Sequence, residues 1–278
     1  MVRYDSPYDP STAPKDLEFI KYEKKGHVAY VTIDRPEVRN ALHSFSYQEL
    51  RACWRDISLD PDVYVAILTG SGEHAFCAGR DVKFLAEYQA EGKRTPHEDP
   101  NSPLYHWGGG GQPQDAELEK PLICALNGFA VGVGLNIAMQ CQLRVMSEDA
   151  WLGDQHTNVG RLGAPHELYA ALPRAVAAYL TLCNGRLTAQ ECLQYGIVNR
   201  VVPKDRVLAA AEALAEMVCD SSPLAVQGVI RMYRLTAAFP AALDTYARYL
   251  DQEIAETEDG AEGSRAFVEK RKPDWKLR

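Results

Sequence analysis

The sequence lacks the surplus of positive charge that nucleic-acid-binding proteins carry. It has 30 lysine and arginine residues against 38 aspartate and glutamate residues, for a formal net charge of −8. Its longest basic cluster is the short run Lys270-Arg271-Lys272 near the end of the chain. An acidic chain of this kind offers a phosphate backbone no continuous basic face, so we expect no nucleic-acid partner.

Long apolar runs and paired cysteines are also missing. No run approaches the roughly 20 residues that cross a bilayer, and the first sixteen residues contain no signal-peptide core. The seven cysteines are odd in number, scattered and without a CxxC pair. That spacing argues against a disulfide framework and against a thiolate metal site. We predict a soluble, cytoplasmic protein with no bound metal or cofactor, no membrane contact and a flexible arm over residues 1–16.

The most informative local pattern is Pro121–Met139. An apolar run, Leu122–Leu126, ends at Asn127-Gly128, and the small-residue turn Ala130–Gly134 leads into an apolar segment of helical character. This order is typical of a buried strand, a tight glycine turn and a helix N-terminus. Such a turn presents unpaired N–H groups and the positive end of the helix dipole to an anionic oxygen. It is one half of an oxyanion site or a plain connector.

A second unit of the same kind lies earlier in the chain. The apolar run Val63–Leu68 predicts a parallel core strand, and Ala75–Asp81 contains the turn Ala78-Gly79-Arg80 before a helix that continues through Leu85. Two strand, turn and helix units in one chain indicate an α/β fold whose repeated units stack about a shared site.

The remaining segments complete this α/β pattern. Leu17–Tyr22 and Val28–Ile33 predict a hairpin with its turn at Lys24-Lys25-Gly26. We predict further helices at Ser46–Ile57, Arg174–Leu182 and Ala189–Tyr195, and further strands at Cys141–Met146, Ala150–Leu152 and Ile197–Val202. From Lys204 onward we expect three helices, the first with an apolar stripe that includes Val207, Leu208 and Ala211.

Residues 91–116 differ in composition from the strand and helix segments on either side. They are polar, contain four prolines and carry the glycine run Gly108–Gly111. A loop of this length inside a compact domain is functional or mobile. Its neighbouring His106 and Trp107 either line a pocket or only anchor the loop.

Taken together, these motifs resemble the crotonase (enoyl-CoA hydratase/isomerase) superfamily over about residues 17–276. The resemblance rests on five groups of residues in the family's order and spacing. These groups are Asp34-Arg35-Pro36 with Asn40-Ala41-Leu42, Phe76–Lys83, Asn127–Ala138, Ala189-Gln190-Glu191 with Tyr195–Val198, and Phe267–Pro273. The resemblance implies an acyl-CoA thioester ligand, a ββα spiral core over residues 17–203, and a helical oligomerisation and CoA-covering region over residues 204–278. It also implies a homotrimer or homohexamer.

The resemblance assigns roles to individual residues. The N–H groups of Arg80 and Val133 would hold the thioester carbonyl, because enolate or tetrahedral charge develops on that oxygen. Contacts to coenzyme A carry over onto the following positions: Val38, Ala78, Val82, Phe267 and Lys270. The Arg80 side chain would either pair with CoA phosphates or lie in solvent near Asp81.

The chain departs from the family where hydratases carry two catalytic glutamates. Asn136 stands at the first position and His156 at the second. An asparagine orients water or a hydroxyl but is no general base, whereas a histidine is one. Asp154, two residues before His156, either orients the imidazole across an extended segment or points away as a surface acid. The third acid position of some relatives falls on Ala164 or Pro165, followed by His166 and Glu167.

We therefore expect an acyl-CoA-processing enzyme, nominally an enoyl-CoA hydratase/isomerase, in which His156 moves a proton and Asn136 holds water or a polar acyl group. The missing glutamates leave hydrolysis, C–C bond cleavage and decarboxylation as alternatives. A second hypothesis is a CoA-ester-binding protein without catalysis. A protease-like member of the fold ranks last, because neither glycine turn carries a serine.

Overall fold

Two β-sheets organise the chain, and from the third to the eighth strand consecutive strands alternate between them. The computed structural model describes residues 9–92, 113, 118–237 and 241–275. The composition break with His106 and Trp107 lies almost wholly outside the described residues, as does most of the N-terminal arm. The described strands are β1 Ile20–Lys25, β2 Val28–Ile33, β3 Val65–Gly70, β4 Ala75–Cys77, β5 Leu122–Leu126, β6 Phe129–Val131, β7 Leu143–Ser147, β8 Trp151–Gly153, β9 Arg186–Thr188 and β10 Arg200–Val202.

Ten α-helices connect or cover these strands in the described part of the chain. They are α1 Ser44–Leu59, α2 Val82–Ala90, α3 Val133–Gln140, α4 Pro165–Ala171, α5 Arg174–Leu182, α6 Ala189–Gln194, α7 Val207–Cys219, α8 Pro223–Ala237, α9 Ala241–Ala255 and α10 Glu258–Val268.

The larger sheet has six strands in the order β1-β2-β3-β5-β7-β10, and the smaller has four in the order β4-β6-β8-β9. All pairs in the larger sheet are parallel except the β1–β2 hairpin. β5 is buried along its whole length, which explains its uninterrupted apolar sequence. β3-β4-α2 and β5-β6-α3 each place one strand in each sheet before a helix. The expected ββα spiral is therefore confirmed.

The core lies on both sides of the larger sheet. One apolar cluster joins α1 to β2, β3 and β5 and includes the fully buried Trp54. A second cluster lies under α7, whose buried face consists of Val207, Ala211, Leu214 and Ala215. Each methylene removed from water on these faces contributes about 0.8 kcal/mol.

Several sequence predictions need correction. The β1–β2 turn is Gly26-His27, because both preceding lysines belong to the ladder opposite Val28 and Ala29. The small-residue stretch before α3 contains a separate strand, β6. Leu208 is 45 % exposed and so lies off the buried face of α7.

The C-terminal part also differs from the prediction. The described residues after Lys204 form four α-helices rather than three, and the additional helix is α10. α7 packs on the larger sheet, while α10 contacts α2 and the 3₁₀ turn Thr157–Val159. The division at residues 203 and 204 stays a prediction. No helix within the described ranges combines the length and apolarity needed to span a membrane.

Candidate active site

The carboxyl ends of β4, β6 and β8 meet at one edge of the smaller sheet. β6 pairs in parallel with both β4 and β8, so the segments that follow these strands emerge side by side. The first two segments touch. A Cβ atom built on Gly79 would lie 2.8 Å from the Val131 carbonyl oxygen and 3.6 Å from the Val133 nitrogen. The structure thus brings the two predicted glycine turns together.

Arg80 follows β4 and forms an isolated parallel bridge with Leu42. Leu42 N–H donates to the Gly79 carbonyl and Asp81 N–H donates to the Leu42 carbonyl, both at 2.8 Å. In parallel pairing, the residue between two such bonds directs its own N–H to the opposite side. Within the described residues the Arg80 N–H donates to no backbone carbonyl. It is therefore an available hydrogen-bond donor.

The Val133 N–H begins α3. First-turn N–H groups have no acceptor within their own helix, and the helix dipole adds positive potential there. The preceding Gly132 has φ 56° and ψ −120°, a conformation that only glycine adopts without strain. Gly134 fixes the start of the helix against β4, since a Cβ at this position would lie 2.4 Å from the Cys77 carbonyl oxygen. The second donor is thus held beside the first.

A buried Asp–His pair follows β8. His156 Nδ1 lies 2.7 Å from Asp154 Oδ1, and Asp154 is only 2 % exposed. The structure therefore places Asp154 against the imidazole rather than at the surface. The expected extended segment is wrong, because Gln155 has φ 63° and the chain turns at this residue. A carboxylate accepts hydrogen bonds, so this contact assigns the hydrogen to Nδ1, and in the neutral imidazole Nε2 then carries the lone pair.

Two glycines lie against the His156 ring. A Cβ on Gly132 would be 3.6 Å from Nε2, an ordinary contact. A Cβ on Gly163, where φ is 69°, would be 2.4 Å from Nδ1 and 2.7 Å from Cγ. The imidazole therefore occupies the space that any side chain at position 163 would need. The local sequence did not single out Gly163 as a functional residue. Its one visible signal is a glycine directly before Ala164-Pro165.

Asn136 lies one helical turn beyond Gly132. Its N–H donates to the Gly132 carbonyl at 3.0 Å, and its side chain is directed back toward the helix N-terminus. Asn136 is 4 % exposed. Among the described residues, no donor reaches the buried Asn136 Oδ1 or Asp154 Oδ2. Buried acceptors of this kind are suited to a hydroxyl or water donor.

The Arg80 side chain is exposed, and Asp81 is engaged elsewhere. The buried Arg35 places Nη1 3.0 Å from Asp81 Oδ2, while Asp81 Oδ1 accepts from the Phe84 N–H at 3.0 Å. Asp81 therefore caps α2 and pairs with Arg35.

Burial raises the pKa of the nearby Cys77 thiol to about 12, so this cysteine stays protonated at neutral pH.

The predicted CoA contacts fall into two groups. Val38 precedes Arg39, whose carbonyl accepts from the Ala78 N–H at 3.0 Å, and Val82 begins α2. Phe267, 61 % exposed, and Lys270 lie at the end of α10, the helix that contacts α2. Val82 therefore lies on α2, and Phe267 and Lys270 lie at the end of a helix that contacts α2.

The basic tail is less available than its sequence indicates. Arg271 Nη2 lies 2.9 Å from Glu262 Oε2, and its Nε lies 2.6 Å from Glu269 Oε2. Hydrogen bonds from Arg271 hold the pKa of Glu262 well below its usual value. Arg271 is therefore part of an internal ion pair, which leaves the neighbouring lysines as the candidate phosphate contacts.

The third acid position carries no carboxylate. Ala164 is buried directly before α4, and Pro165 begins that helix, with His166 and Glu167 in its first turn. No group of three or more histidine, cysteine, aspartate or glutamate side chains in the described ranges could hold a metal ion. The described site thus consists of two backbone donors, an Asp–His pair and a buried asparagine.

Comparisons with known proteins identify the family. A sequence model described as "Enoyl-CoA hydratase/isomerase" matches residues 23–278. The chain is 35 % identical over 261 residues to (E)-benzylidenesuccinyl-CoA hydratase of Thauera aromatica, covering 92 % of this chain and 98 % of that protein. It is 33 % identical over 273 residues to carnitinyl-CoA dehydratase of Salmonella typhi, covering 94 % and 99 %.

Solved structures show the same likeness. A carnitinyl-CoA hydratase from Mycobacterium avium superposes with a TM-score of 0.77 at 31 % identity, covering 94 % of this chain and 99 % of the other. A carnitinyl-CoA dehydratase from Mycobacterium avium 104 gives a TM-score of 0.77 at 32 % identity, again covering 94 % and 99 %. The sequence match spans nearly the whole chain and the fold agrees with it, so the protein is a member of the enoyl-CoA hydratase/isomerase family.

Proposed function

We propose that the chain catalyses the reversible addition of water to the α,β-double bond of an acyl-CoA thioester, with His156 as its acid–base group. The observation that carries this proposal is the buried Asp154–His156 pair, 2.7 Å from Oδ1 to Nδ1, beside the Gly132 turn. It supplies a proton-transfer group at a site that lacks the family's two glutamates. The hydratase and dehydratase names of the relatives support the same reaction.

The N–H groups of Arg80 and Val133 bind the thioester oxygen. Negative charge grows on this oxygen when water adds to the β-carbon, because the electron pair of the double bond moves toward the carbonyl. Both donors are preorganised, since they belong to turns that touch each other. Loss of one such donor costs about 3–4 kcal/mol of transition-state stabilisation.

His156 moves the proton. Its Nε2 accepts a proton from water as the water oxygen bonds to the β-carbon, and the imidazolium then returns a proton to the α-carbon as the carbonyl reforms. The Asp154 carboxylate keeps the hydrogen on Nδ1 and stabilises the imidazolium. Asn136 holds the water or a product hydroxyl through its unpaired Oδ1. Dehydration follows the same steps in reverse.

Coenzyme A enters as part of the substrate and not as a separate cofactor. Val38, Ala78 and Val82 would contact it from one side, and Phe267 and Lys270 would contact it from the end of α10. The relatives named above act on benzylidenesuccinyl-CoA and carnitinyl-CoA, so we propose a ring-bearing or polar acyl group rather than a simple alkyl chain.

We also propose a homotrimer or homohexamer. Several large apolar side chains on the C-terminal helices are more than half exposed in the single chain, as subunit contacts would require. They are Leu224, Val229 and Met232 on α8 and Tyr246 and Tyr249 on α9.

A panel of acyl-CoA esters in ¹⁸O-labelled water tests the reaction by mass spectrometry. We expect an enoyl-CoA to gain one water, with the label in the hydroxyl of an intact thioester. His156→Ala should lower kcat by about 10²- to 10⁴-fold, the usual contribution of a general acid–base group. The control is His74→Ala, an exposed histidine at the opposite end of β4.

Other products would overturn the proposal in distinct ways. Label in a free acid with release of CoA would indicate hydrolysis. Loss of carbon dioxide would indicate decarboxylation, and loss of a larger fragment would indicate C–C bond cleavage. Binding of every ester without turnover would indicate a CoA-ester-binding protein.

A further inference from the structure

A buried carboxylate on the C-terminal helices binds the segment that follows His156. Asp251 on α9 is 1 % exposed. Its Oδ1 accepts from Arg161 Nε at 3.2 Å and from the Leu162 N–H at 2.9 Å, and its Oδ2 accepts from Arg161 Nη2. A two-oxygen contact to one guanidinium fixes orientation as well as distance. Asp251 therefore holds both the side chain and the backbone of residues 161–162.

These two residues are directly connected to the imidazole. The N–H groups of Val159 and Arg161 donate to the His156 carbonyl at 3.0 and 3.1 Å. The next residue after Leu162 is Gly163, whose Cα faces the His156 ring so closely that no Cβ fits. The chain thus leaves His156, turns through residues 157–162 and returns to contact the same ring.

α10 confines the same segment from another direction. A Cβ on Gly160 would lie 2.8 Å from the Asp259 carbonyl oxygen, and a Cβ on Gly263 would lie 2.5 Å from the Val159 carbonyl carbon. These are backbone-to-backbone contacts without a flexible side chain between them. The segment is therefore held by α10 at residues 159–160 and by Asp251 of α9 at residues 161–162.

We propose that Asp251 is a positioning residue for His156: through Arg161 and Leu162 it sets where Gly163 lies, and Gly163 sets where the imidazole lies. The proposal rests on the proposed function, because it concerns the group that moves the proton. Asp251 itself does not reach the reacting atoms. A displacement of about 1 Å at a catalytic group lowers the rate by roughly 10²-fold. Loss of the Asp251 contact should therefore change the rate measurably if it moves the imidazole by even part of this distance.

Asp251→Asn is the variant of choice. The amide keeps the volume of the carboxylate, and its oxygen still accepts from the Leu162 N–H. It loses the charge and one of the two contacts to Arg161. The Arg161 side chain is 33 % exposed and so can reach water when the pair is weakened. We therefore expect a folded protein with a repositioned 160–163 segment.

Glu119→Gln provides a matched control. Arg231 on α8 forms the same two-point contact with Glu119, with Nε–Oε1 and Nη2–Oε2 distances of 2.7 Å. This pair also joins a C-terminal helix to the core, but Glu119 lies at the amino end of β5. Glu119 thus lies at the end of β5 opposite to the turn that leads into β6 and the candidate site.

The experiment measures kcat, KM and the pH profile of kcat for the wild type and both variants, together with the low-field proton resonance of His156 Nδ1–H. His156→Ala assigns that resonance by its loss. We expect Asp251→Asn to lower kcat by about 10- to 100-fold with KM changed less than about threefold, to shift the pH profile and to move or broaden the resonance. Glu119→Gln should change none of these by more than about twofold.

An unchanged resonance and pH profile in Asp251→Asn would overturn the proposal, even if its kcat and melting temperature fell together. Equal effects from both variants would also overturn it, because they would show only a general role in holding the C-terminal helices. If His156→Ala stays active, the proposed function fails. The resonance still reports in that case whether Asp251 positions the ring, so the two failures are distinguishable.

Discussion

The two sheets of this chain differ in length, burial and chemistry. Most strands of the six-stranded sheet have five or six residues, and their apolar side chains contribute to both core clusters, whereas those of the four-stranded sheet contribute to one. Every strand of the four-stranded sheet has three residues, yet the candidate site lies at the carboxyl ends of β4, β6 and β8. Stability should therefore depend mainly on the larger sheet and activity on the smaller one.

This difference has a physical basis. A three-residue strand buries too little apolar surface to hold itself in place, so β4 and β6 depend on the longer strands that precede them. The segments after these short strands carry the candidate N–H donors and the Asp154–His156 pair, so substitutions there should act mainly on the reaction. Substitutions in the larger sheet should then lower stability, and substitutions in or after the smaller sheet should lower kcat.

The largest effect should come from the larger sheet. Leu68 lies in the middle of β3 and is fully buried. Leu68→Ala should lower the free energy of unfolding by about 2–5 kcal/mol, because it removes apolar contacts and leaves a cavity. Urea denaturation measures this change. The folded fraction should keep a kcat within about twofold of the wild type, since a core leucine makes no contact that forms only in the transition state.

Leu182→Ala is the matched control, because Leu182 is 71 % exposed. Its unfolding free energy should change by no more than about 0.5 kcal/mol. A folded Leu68→Ala protein with strongly reduced kcat would contradict the idea that the larger sheet determines stability and the smaller sheet determines activity.

The next effect belongs to the smaller sheet and the segment after it. In Gly163→Ala the new methyl group would collide with the His156 ring, where its Cβ would lie 2.4 Å from Nδ1. We expect kcat to fall by about 10²-fold as the imidazole moves. Steady-state kinetics and thermal unfolding together separate this loss from a loss of fold.

Gly196→Ala isolates the backbone strain. Gly196 also has φ 69°, but nothing lies within 4 Å of its Cβ position. In both variants the left-handed conformation of the new alanine lowers the free energy of unfolding by about 1 kcal/mol. Only the methyl group at position 163 contacts the imidazole. If Gly196→Ala lost as much activity as Gly163→Ala, the close contact with His156 would not be the cause.

The smallest effect concerns pH. His43 is buried at the N-terminus of α1, where its Nδ1 accepts from the Ser46 N–H at 3.1 Å. Burial, together with the positive charge of Arg35, lowers the pKa of His43, against weaker opposing effects of Asp81 and Glu49. The unfolded chain therefore binds more protons than the folded one just below pH 6.5. Stability should be highest above this pH and fall as the pH drops through it.

His43→Asn keeps a side-chain cap at this position but cannot titrate. Urea midpoints between pH 5 and pH 7.5 should therefore depend less on pH in this variant than in the wild type. The pH profile of kcat should stay the same, because His43 has no part in the proposed proton transfer. A variant with the wild-type pH dependence of stability would show that another group is responsible.

Much of the fold follows from local sequence patterns. β2, β5 and α5 have the predicted bounds, because alternation, a continuous apolar run or a helical stripe marks each of them. The short strands β6 and β9 escape such reasoning, since three residues carry no periodicity. β6 also lies within a glycine-rich stretch that has the composition of a turn.

The site divides in a similar way. The glycine turns, Asn136 and His156 are visible because each belongs to a contiguous motif. The contact between Arg161 and Asp251 joins residues 90 positions apart, and no local pattern marks it. The extended geometry expected for residues 154–156 is wrong for a related reason. The turn at Gln155 is stabilised by its side chain, which donates to the Asn184 carbonyl at 2.6 Å.

The two backbone donors at Arg80 and Val133 have a consequence for how the reaction can vary. Their hydrogen atoms belong to peptide groups, so substitutions of the side chains at these positions leave the donors in place unless they move the chain. In the proposed reaction, the groups that handle protons and water are side chains at positions 136 and 156, and a single codon change replaces either of them. A mutational library restricted to these two positions would therefore sample new reactions while the proposed mode of thioester binding stays the same.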